Sequence, residues 1–321
     1  MSTTDAFDLV LLAVDDAESA HAARLARELT GEVRRVSVLT APAVMVEPAP
    51  GPVVVHAFSA AGAGRPVPAG PGAVTVVHDH RGDDGPPCPT ADHVVVGSHA
   101  EATAVVAAGF ARGSVSIVAR PVDERYWAAD GPAADRGDAI RLVATTGLRP
   151  GDGTDTAVAA LARVPDVELV VTGPVDSPAP AHRAELGRLL DGAAALGVAG
   201  RVRFVSGPTP EVIRSADVVL HLPWSAAPVD PVLHAMACGV PVIAGATGGL
   251  PETVVDDLTG VLVPPRDPRA TARAIRRLCQ DKTRLAAFSV AAVDRVAQRH
   301  SWTRVAGELL RVYREAAGLA A

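Results

Sequence analysis

The stretch at residues 216–252 constrains most strongly what this chain can fold into. Its apolar run at 218–222 predicts a buried strand, and a second apolar segment at 240–244 predicts another. A proline-rich loop and a short helical segment lie between them, and Gly239 follows that helix as a typical helix-terminating glycine. A strand, loop, helix and strand in so short a space predict a βαβ unit of a parallel sheet.

The carboxyl ends of these two strands are expected to line one crevice, formed by residues 223–230 and 245–252. The segment H-A-M-A-C-G-V-P-V-I-A, followed by G-G-L-P-E and L-T-G-V-L-V-P-P, is similar to the donor-binding core of family-4 retaining glycosyltransferases, the group 1 glycosyl transferases. The resemblance implies an α/β chain with the GT-B fold. Such a chain has two Rossmann-like domains with parallel sheets that face each other across a cleft, and a C-terminal helix that crosses back to the first domain.

Length and composition agree with two domains and limit the partners. The 321 residues provide enough chain for two cores, and the net charge of -6 comes from dispersed residues. This balance argues against a nucleic-acid surface and against a polybasic membrane patch. No apolar run reaches the ~20 residues of a membrane span, and the N-terminus lacks a signal-peptide pattern. We therefore expect a cytoplasmic protein that does not span a membrane.

The three cysteines, Cys88, Cys238 and Cys279, show no metal-ligand spacing and no even count that would favour disulfides. We interpret them as reduced thiols of the cytosol. No metal site and no cofactor are expected.

The domain boundaries follow from a segment rich in Ala, Asp, Gly and Pro at 128–138, which is interpreted as a linker. We predict an acceptor-side domain at 1–135, a donor-side domain at 136–300 and a returning C-terminal helix at 301–321. The first domain is expected to be shortened, because residues 81–90 contain too many glycines and prolines for the long helix of the family. Residues 60–72 are predicted to form a loop.

Two features of the first domain lie where the family meets its substrates. The turn at Asp15 and Asp16 replaces a glycine pair and would repel a diphosphate, although an aspartate that caps the following helix is the favoured interpretation. His78 matches the family histidine that faces the transferred sugar. Because His56 and His80 lie nearby in sequence, a structural histidine is an equally good interpretation.

The segment T-G-L-R-P-G-D-G-T-D aligns with the family's G-R-L-x-P-x-K-G-x-D, whose arginine and lysine clamp the donor diphosphate. In this chain Gly147 replaces the arginine and Asp152 replaces the lysine. Arg149 lies two residues away and is a partial substitute. Lys282, the only lysine of the chain, belongs to a late helix and cannot form the clamp.

The opening stretch itself departs from the family at its polar contacts. Ala226 and His234 occupy the positions of the two family glutamates, which bind the donor sugar and its ribose. Pro228 lacks the N–H that the family phenylalanine donates, and Val229 replaces a glycine that allows close approach of the ligand. His234 can form a single hydrogen bond but cannot act as a carboxylate. Pro231 is also compatible with an ordinary first helical turn.

The remaining donor-side positions of the family pattern are retained. They are Gly173 at a strand end, Gly248 and Gly249 in a turn, and Glu252.

Three functional hypotheses follow. The leading one is a pseudo-glycosyltransferase that binds an NDP-sugar weakly or not at all and serves as a scaffold or activating partner, in a hetero-oligomer with an active glycosyltransferase or as a homodimer. The second is an active retaining glycosyltransferase that transfers from an NDP-sugar to a small-molecule or glycan acceptor, using Arg149, His234 and His78. The third is an enzyme that isomerises a sugar nucleotide, against which the charge of Asp152 also counts.

Overall fold

The computed structural model describes residues 7–13, 15–40, 51–58, 73–78, 91–145 and 147–319. Contacts divide the chain into two compact units, one running to Pro121 and resuming at Arg299, the other spanning Val122–Gln298. The loops predicted at 60–72 and 81–90 lie outside the described residues, and so do Cys88, His80 and Thr146.

The first unit contains one six-stranded sheet in the order β2-β1-β3-β4-β5-β6, and its strand pairs are parallel. Short valine-rich segments form its central strands, because β-branched side chains suit a sheet that is covered on both faces. Its elements are β1 (Asp8–Ala13), α1 (Asp16–Leu29), β2 (Arg35–Thr40), β3 (Val53–Ala57), β4 (Ala73–His78), β5 (His93–Val96), α2 (His99–Ala107) and β6 (Val115–Ile117).

Capping side chains begin both helices of this list. Asp15 Oδ1 accepts a hydrogen bond of 2.7 Å from the Glu18 N–H, which confirms the helix-cap interpretation of this aspartate. Ser98 Oγ accepts the corresponding bond of 3.1 Å from the Glu101 N–H.

The second unit contains a six-stranded parallel sheet in the order β9-β8-β7-β10-β11-β12. Its first strand is central and the order reverses between β7 and β10, as in a Rossmann sheet. Its elements are β7 (Ile140–Ala144), α3 (Thr154–Leu161), β8 (Val167–Gly173), α4 (Pro180–Ala195), β9 (Val202–Ser206), α5 (Pro210–Arg214), β10 (Val218–His221), α6 (Asp230–Ala237), β11 (Val242–Gly245), α7 (Leu250–Thr253), β12 (Gly260–Val263), α8 (Pro268–Cys279) and α9 (Lys282–Arg299).

The last helix, α10 (Trp302–Ala316), packs in the core of the first unit. Trp302, Val305, Leu309 and Tyr313 form its buried stripe, as the helical spacing predicts. The Tyr313 hydroxyl is hydrogen-bonded to His56 Nδ1 at 2.7 Å, in the buried interior. The returning helix therefore completes the hydrophobic core of the unit that begins the chain.

The segment interpreted as a linker is held by the second unit. The Arg214 guanidinium donates to the carbonyls of Ala128 and Pro132 at 3.0 and 2.7 Å, and Arg136 forms an ion pair of 2.8 Å with Asp217. Residues 128–138 therefore lie within the compact unit that begins at Val122, and the division at residue 135 stays a prediction.

Candidate functional site

A pocket of about 350 Å³ lies at the carboxyl ends of the central strands of the second sheet. Thr145 directly follows β7 and His221 is the last residue of β10, so both stand at the point where the strand order reverses. Ligands of open α/β sheets bind at such a switch point. The polar residues that line the pocket are Thr145, Arg149, Asp152, His182 and His221.

Prolines form much of the remaining wall. Pro174, Pro223, Pro228 and Pro231 line the pocket, together with Gly147, Leu148 and Ala227. A proline has no backbone N–H to donate. The wall formed by the loop after β10 therefore offers fewer backbone donors to a ligand than the family pattern implies.

The loop at 147–153 is closed by its own aspartate. Asp152 Oδ2 accepts a hydrogen bond of 2.9 Å from the Arg149 N–H, and the Asp152 N–H donates back to the Arg149 carbonyl at 3.2 Å. A side chain at Gly147 would overlap the Asp152 carboxylate. Gly147 therefore leaves the space that the Asp152 carboxylate occupies, and the two residues stabilise the loop together. From the sequence alone, they are only the residues that replace the family's arginine and lysine.

Close backbone approach anchors this loop to the strand end of β10. Gly153 has a φ of 86°, and an added Cβ would collide with the Leu222 carbonyl. The Trp224 N–H donates to the Gly151 carbonyl at 2.9 Å, and Trp224 Nε1 donates to Thr156 Oγ1 at 3.3 Å. The Arg266 guanidinium lies 4.0 Å from the centre of the Trp224 ring, where cation–π attraction holds it.

Two buried polar atoms of the pocket residues have no hydrogen-bond partner among the described residues. They are Thr145 Oγ1 and His221 Nε2, and each exposes less than 1 Å². His221 Nδ1 lies 3.1 Å from the Thr145 carbonyl, which can only accept, so this nitrogen carries the proton. An unsatisfied buried polar group costs about 1–3 kcal/mol of folding stability. Without a ligand, these two atoms therefore destabilise the folded chain.

Burial lowers the pKa of His221 below its ordinary value. The carbonyls of Thr145 and Pro228 and the charge of Asp230 act in the opposite direction, but desolvation of the charged ring is the larger effect. The imidazole is therefore neutral near pH 7, and its Nε2 is a hydrogen-bond acceptor.

The predicted site residues in the loop at residues 226–234 lie in different environments. Ala226 is exposed, and its backbone contacts the turn at Gly248, whose φ is 51°. Pro228 lines the pocket, but Val229 is 7% exposed and packs in the core beside α6. The side chain of Val229 therefore belongs to the core and does not line the pocket. Its backbone is right-handed, so the position does not require glycine.

His234 lies outside the pocket lining. Its ring stacks on that of Trp127, with centroids 4.0 Å apart and planes at 9°. Burial lowers the pKa of His234, and the nearby Asp230 charge opposes that shift. The stacked arrangement assigns this histidine a packing role beside α6.

The remaining predicted residues also lie outside the lining. Gly173 allows Leu148 to approach closely, since an added Cβ would lie 3.0 Å from Leu148 Cγ. Gly249 precedes α7, and the Glu252 carbonyl accepts a hydrogen bond of 2.6 Å from Arg295. His78 is the last residue of β4 in the first unit, and its side chain is not among those described.

Sequence reasoning missed Thr145, His182 and His221. The signal for His221 was present, because a histidine interrupts the apolar run V-V-L-H-L at its carboxyl end. Among the residues that the structure describes, no group of three or more His, Cys, Asp or Glu side chains could hold a metal ion. None of the described helices combines the length and apolarity needed to cross a bilayer.

Comparison with solved structures defines the class of fold to which the two sheets belong. A glycosyltransferase from Rickettsia africae superposes with a TM-score of 0.79 at 13% identity, over 97% of this chain and 98% of the other. HepE of Anabaena, solved in complex with UDP and glucose, gives 0.72 at 16% identity, over 94% and 98%. These similarities show the fold, and the predicted GT-B class is confirmed.

The sequence relation is narrower and more specific. Residues 139–281 match the family model described as Glycosyl transferases group 1, which confirms the resemblance first seen in the motifs. A D-inositol 3-phosphate glycosyltransferase of Mycolicibacterium gilvum is 32% identical over 70% of this chain and 52% of its own length. One of Salinispora tropica is 42% identical over 40% and 27%. The matched segments thus span from about a quarter to about half of these relatives.

Proposed function

We propose that this chain is a glycosyltransferase homologue that no longer binds a nucleotide sugar in the manner of its family. It would act in the cytosol as a scaffold or activating partner of a true transferase. The observation that carries the proposal is the charge of the pocket. Among its described lining residues, Arg149 is the only fixed cation and Asp152 is the only carboxylate.

The charges of this pair nearly cancel, whereas a nucleoside diphosphate brings at least two negative charges. Two unit charges ~4 Å apart interact by about 4 kcal/mol at an effective dielectric near 20. Exchange of a clamping lysine for Asp152 therefore reverses a contribution of that order. Arg149 alone supplies one cation, on an exposed side chain where solvent weakens the attraction.

The loop after β10 supports the same proposal. Ala226 offers no acceptor for a sugar hydroxyl, and Pro228 and Pro231 present no N–H to phosphate oxygens. His234 is engaged with Trp127 outside the lining. Each lost hydrogen bond to a charged group is worth about 1.5–3 kcal/mol, and the family pattern requires several of them together.

Calorimetric titration of the full chain with UDP, GDP, ADP and UDP-glucose tests the proposal. We expect no saturable binding up to about 1 mM, which corresponds to about -4.1 kcal/mol. The matched variant Asp152→Asn removes the negative charge at nearly constant size, and we expect it to strengthen residual diphosphate binding. Micromolar binding of any of these nucleotides to the unaltered chain would overturn the proposal.

The partner is tested separately. Light scattering on the purified chain distinguishes a monomer from a homodimer. Co-expression with a group 1 transferase that retains both glutamates tests the heteromer, and we expect the chain to raise the activity of that enzyme. Unchanged activity together with no complex at micromolar concentration would remove the partner role.

A second candidate is an active retaining transferase with an unusual donor. It is favoured by the persistence of a pocket at the switch point, with Arg149, His182 and His221 in its lining. His234, which the sequence assigns to this hypothesis together with Arg149 and His78, stacks on Trp127 instead. Sugar transfer or donor hydrolysis that is lost in Arg149→Gln would establish this candidate, and absence of both reactions would exclude it.

A further inference from the structure

We propose that Thr145 and His221 form the floor of a binding site for a small sugar acid, a polyhydroxylated molecule with one carboxylate that pairs with Arg149. The inference rests on the proposed loss of nucleotide-sugar binding, because it assigns the same pocket to a smaller and less charged ligand. It uses residues outside the family's donor motif.

Thr145 and His221, which form the floor, require a ligand that both donates and accepts hydrogen bonds. His221 Nδ1 donates to the Thr145 carbonyl, so the neutral ring leaves Nε2 as an acceptor. The Thr145 hydroxyl both donates and accepts, and it has no partner among the described residues. The backbone of Thr145 is already used, since its N–H donates to the Leu220 carbonyl at 3.0 Å. A sugar hydroxyl can donate to Nε2, and a neighbouring hydroxyl can pair with Thr145.

The proposal depends on the fact that Thr145 and His221 line the same pocket. Either unpartnered atom alone would be an isolated packing cost. Here both belong to residues that line one pocket, at the carboxyl ends of the adjacent strands β7 and β10. Buried polar groups without partners are rare in folded proteins, and each calls for an explanation. A bound hydroxylated ligand supplies that explanation for both atoms together.

The charge and the size of the pocket limit the ligand further. The Arg149 side chain is exposed and lines the pocket, and a carboxylate suits its fork of donors. Asp152 opposes additional negative charge, which favours a monoanion over a phosphate ester. A volume of about 350 Å³ is near the lower end for ligand pockets and suits a single sugar ring.

Binding includes a local shift of the wall. Thr145 Oγ1 and His221 Nε2 each expose less than 1 Å², so a ligand atom reaches them only when a covering residue moves. The exposed Pro228 is the candidate, because its carbonyl is close enough to His221 to influence the ring's pKa. We expect displacement of the 227–231 segment in the complex.

The test is calorimetric titration of the full chain with glucuronate, glucose, glucose 1-phosphate and inorganic phosphate. We expect glucuronate to bind with a dissociation constant below about 1 mM, and glucose to bind about tenfold more weakly. Arg149→Gln should abolish the preference for glucuronate over glucose. Binding of inorganic phosphate as tight as that of glucuronate would overturn the sugar-acid assignment.

Two variants separate binding from folding. Thr145→Val and His221→Leu should each weaken glucuronate binding about tenfold, equivalent to about 1.4 kcal/mol. Thr145→Val should leave the thermal midpoint of the free protein unchanged or raise it, because an unpaired hydroxyl is removed. His221→Leu should also lower the midpoint, because the Thr145 carbonyl loses its donor. The control is Thr271→Val, whose buried hydroxyl donates to the Asp267 carbonyl at 2.9 Å. It should lower the midpoint and leave binding unchanged. Unaltered glucuronate affinity in both pocket variants would refute the site.

The outcomes distinguish the two proposals. If neither UDP nor glucuronate binds, the sugar-acid site fails and the loss of nucleotide binding stands. If UDP binds at micromolar concentration, the proposed function fails whatever glucuronate does. Glucuronate binding that depends on Thr145 and His221 then still supports the site.

Discussion

Gly147 and Asp152 should behave as one unit, and the sign of a mutation at one position should depend on the other. The three atoms nearest to a Cβ added at Gly147 all belong to Asp152, and one of its carboxylate oxygens would overlap it. The same oxygen, Oδ2, accepts the 2.9 Å bond from the Arg149 N–H. Gly147→Ala therefore displaces the carboxylate from its donor.

The magnitudes follow from these contacts. Loss of this exposed hydrogen bond to a carboxylate costs about 1–1.5 kcal/mol, because solvent reaches the loop. Gly147 does not have a positive φ, so Gly147→Ala also gains about 0.4–1 kcal/mol from the restricted unfolded chain. We expect Gly147→Ala to destabilise the unaltered chain by about 0.5 kcal/mol. In the Asp152→Ala background, where the overlap is gone, we expect it to stabilise by about 0.5 kcal/mol.

Urea unfolding of the four chains of this cycle, followed by tryptophan fluorescence, measures the coupling. Trp224 is a suitable reporter because its N–H donates to the Gly151 carbonyl within the same loop. A coupling energy of about 1 kcal/mol is expected for residues in direct contact. Additive effects, within about 0.3 kcal/mol, would refute the view that Asp152 serves the loop through the space left by Gly147.

Three further outcomes are expected. Gly153→Ala should destabilise by about 2–3 kcal/mol by urea unfolding, since the added Cβ meets a carbonyl, whereas Gly197→Ala, at a φ of 69° with open space around it, should cost only about 1 kcal/mol. Because the pKa of His234 is lower in the folded chain, the unfolded chain binds more protons as the pH falls. The stability that the neutral His234 ring contributes is therefore complete above about pH 6.5 and is lost at lower pH. The variant His234→Phe keeps the ring stack and should reduce the acid dependence of the melting temperature, and an identical pH profile would contradict this. Tyr313→Phe removes the 2.7 Å bond to His56 and should cost about 1–2 kcal/mol by thermal unfolding, and an unchanged midpoint would count against a stabilising bond.

Much of the fold could be predicted because it depends on patterns that one sequence displays. The alternation of valine-rich runs with amphipathic segments predicts parallel sheets, and the Trp302, Val305, Leu309 spacing predicts the face on which the last helix packs. Asp15 was identified as a cap because a carboxylate before a helical pattern has a local partner. These features arise from contacts near in sequence or from simple periodicity.

The site was less accessible to the same reasoning. Val229 was interpreted by comparison with a glycine, but the direction of its side chain depends on the packing of α6, which the sequence does not display. His234 was assigned to a ligand, although its partner Trp127 lies 107 residues earlier in the chain by their numbers. Thr145 and His221 become neighbours only through the pairing of β7 with β10. Tertiary contacts of this kind decide which polar residues share a pocket.

The place of α10 in the first core has a consequence for synthesis on the ribosome. The second unit is continuous in sequence, whereas the first requires residues from Arg299 onward. Trp302, Leu309 and Tyr313 are translated after the whole of the second unit, yet they fill the core that surrounds Phe7 and Leu9. During translation the early strands therefore emerge long before the helix that covers them, and the later unit is the first able to fold completely. Nascent chains that stall before Arg299 would expose an apolar sheet face, and this makes the early segment a natural client for chaperones.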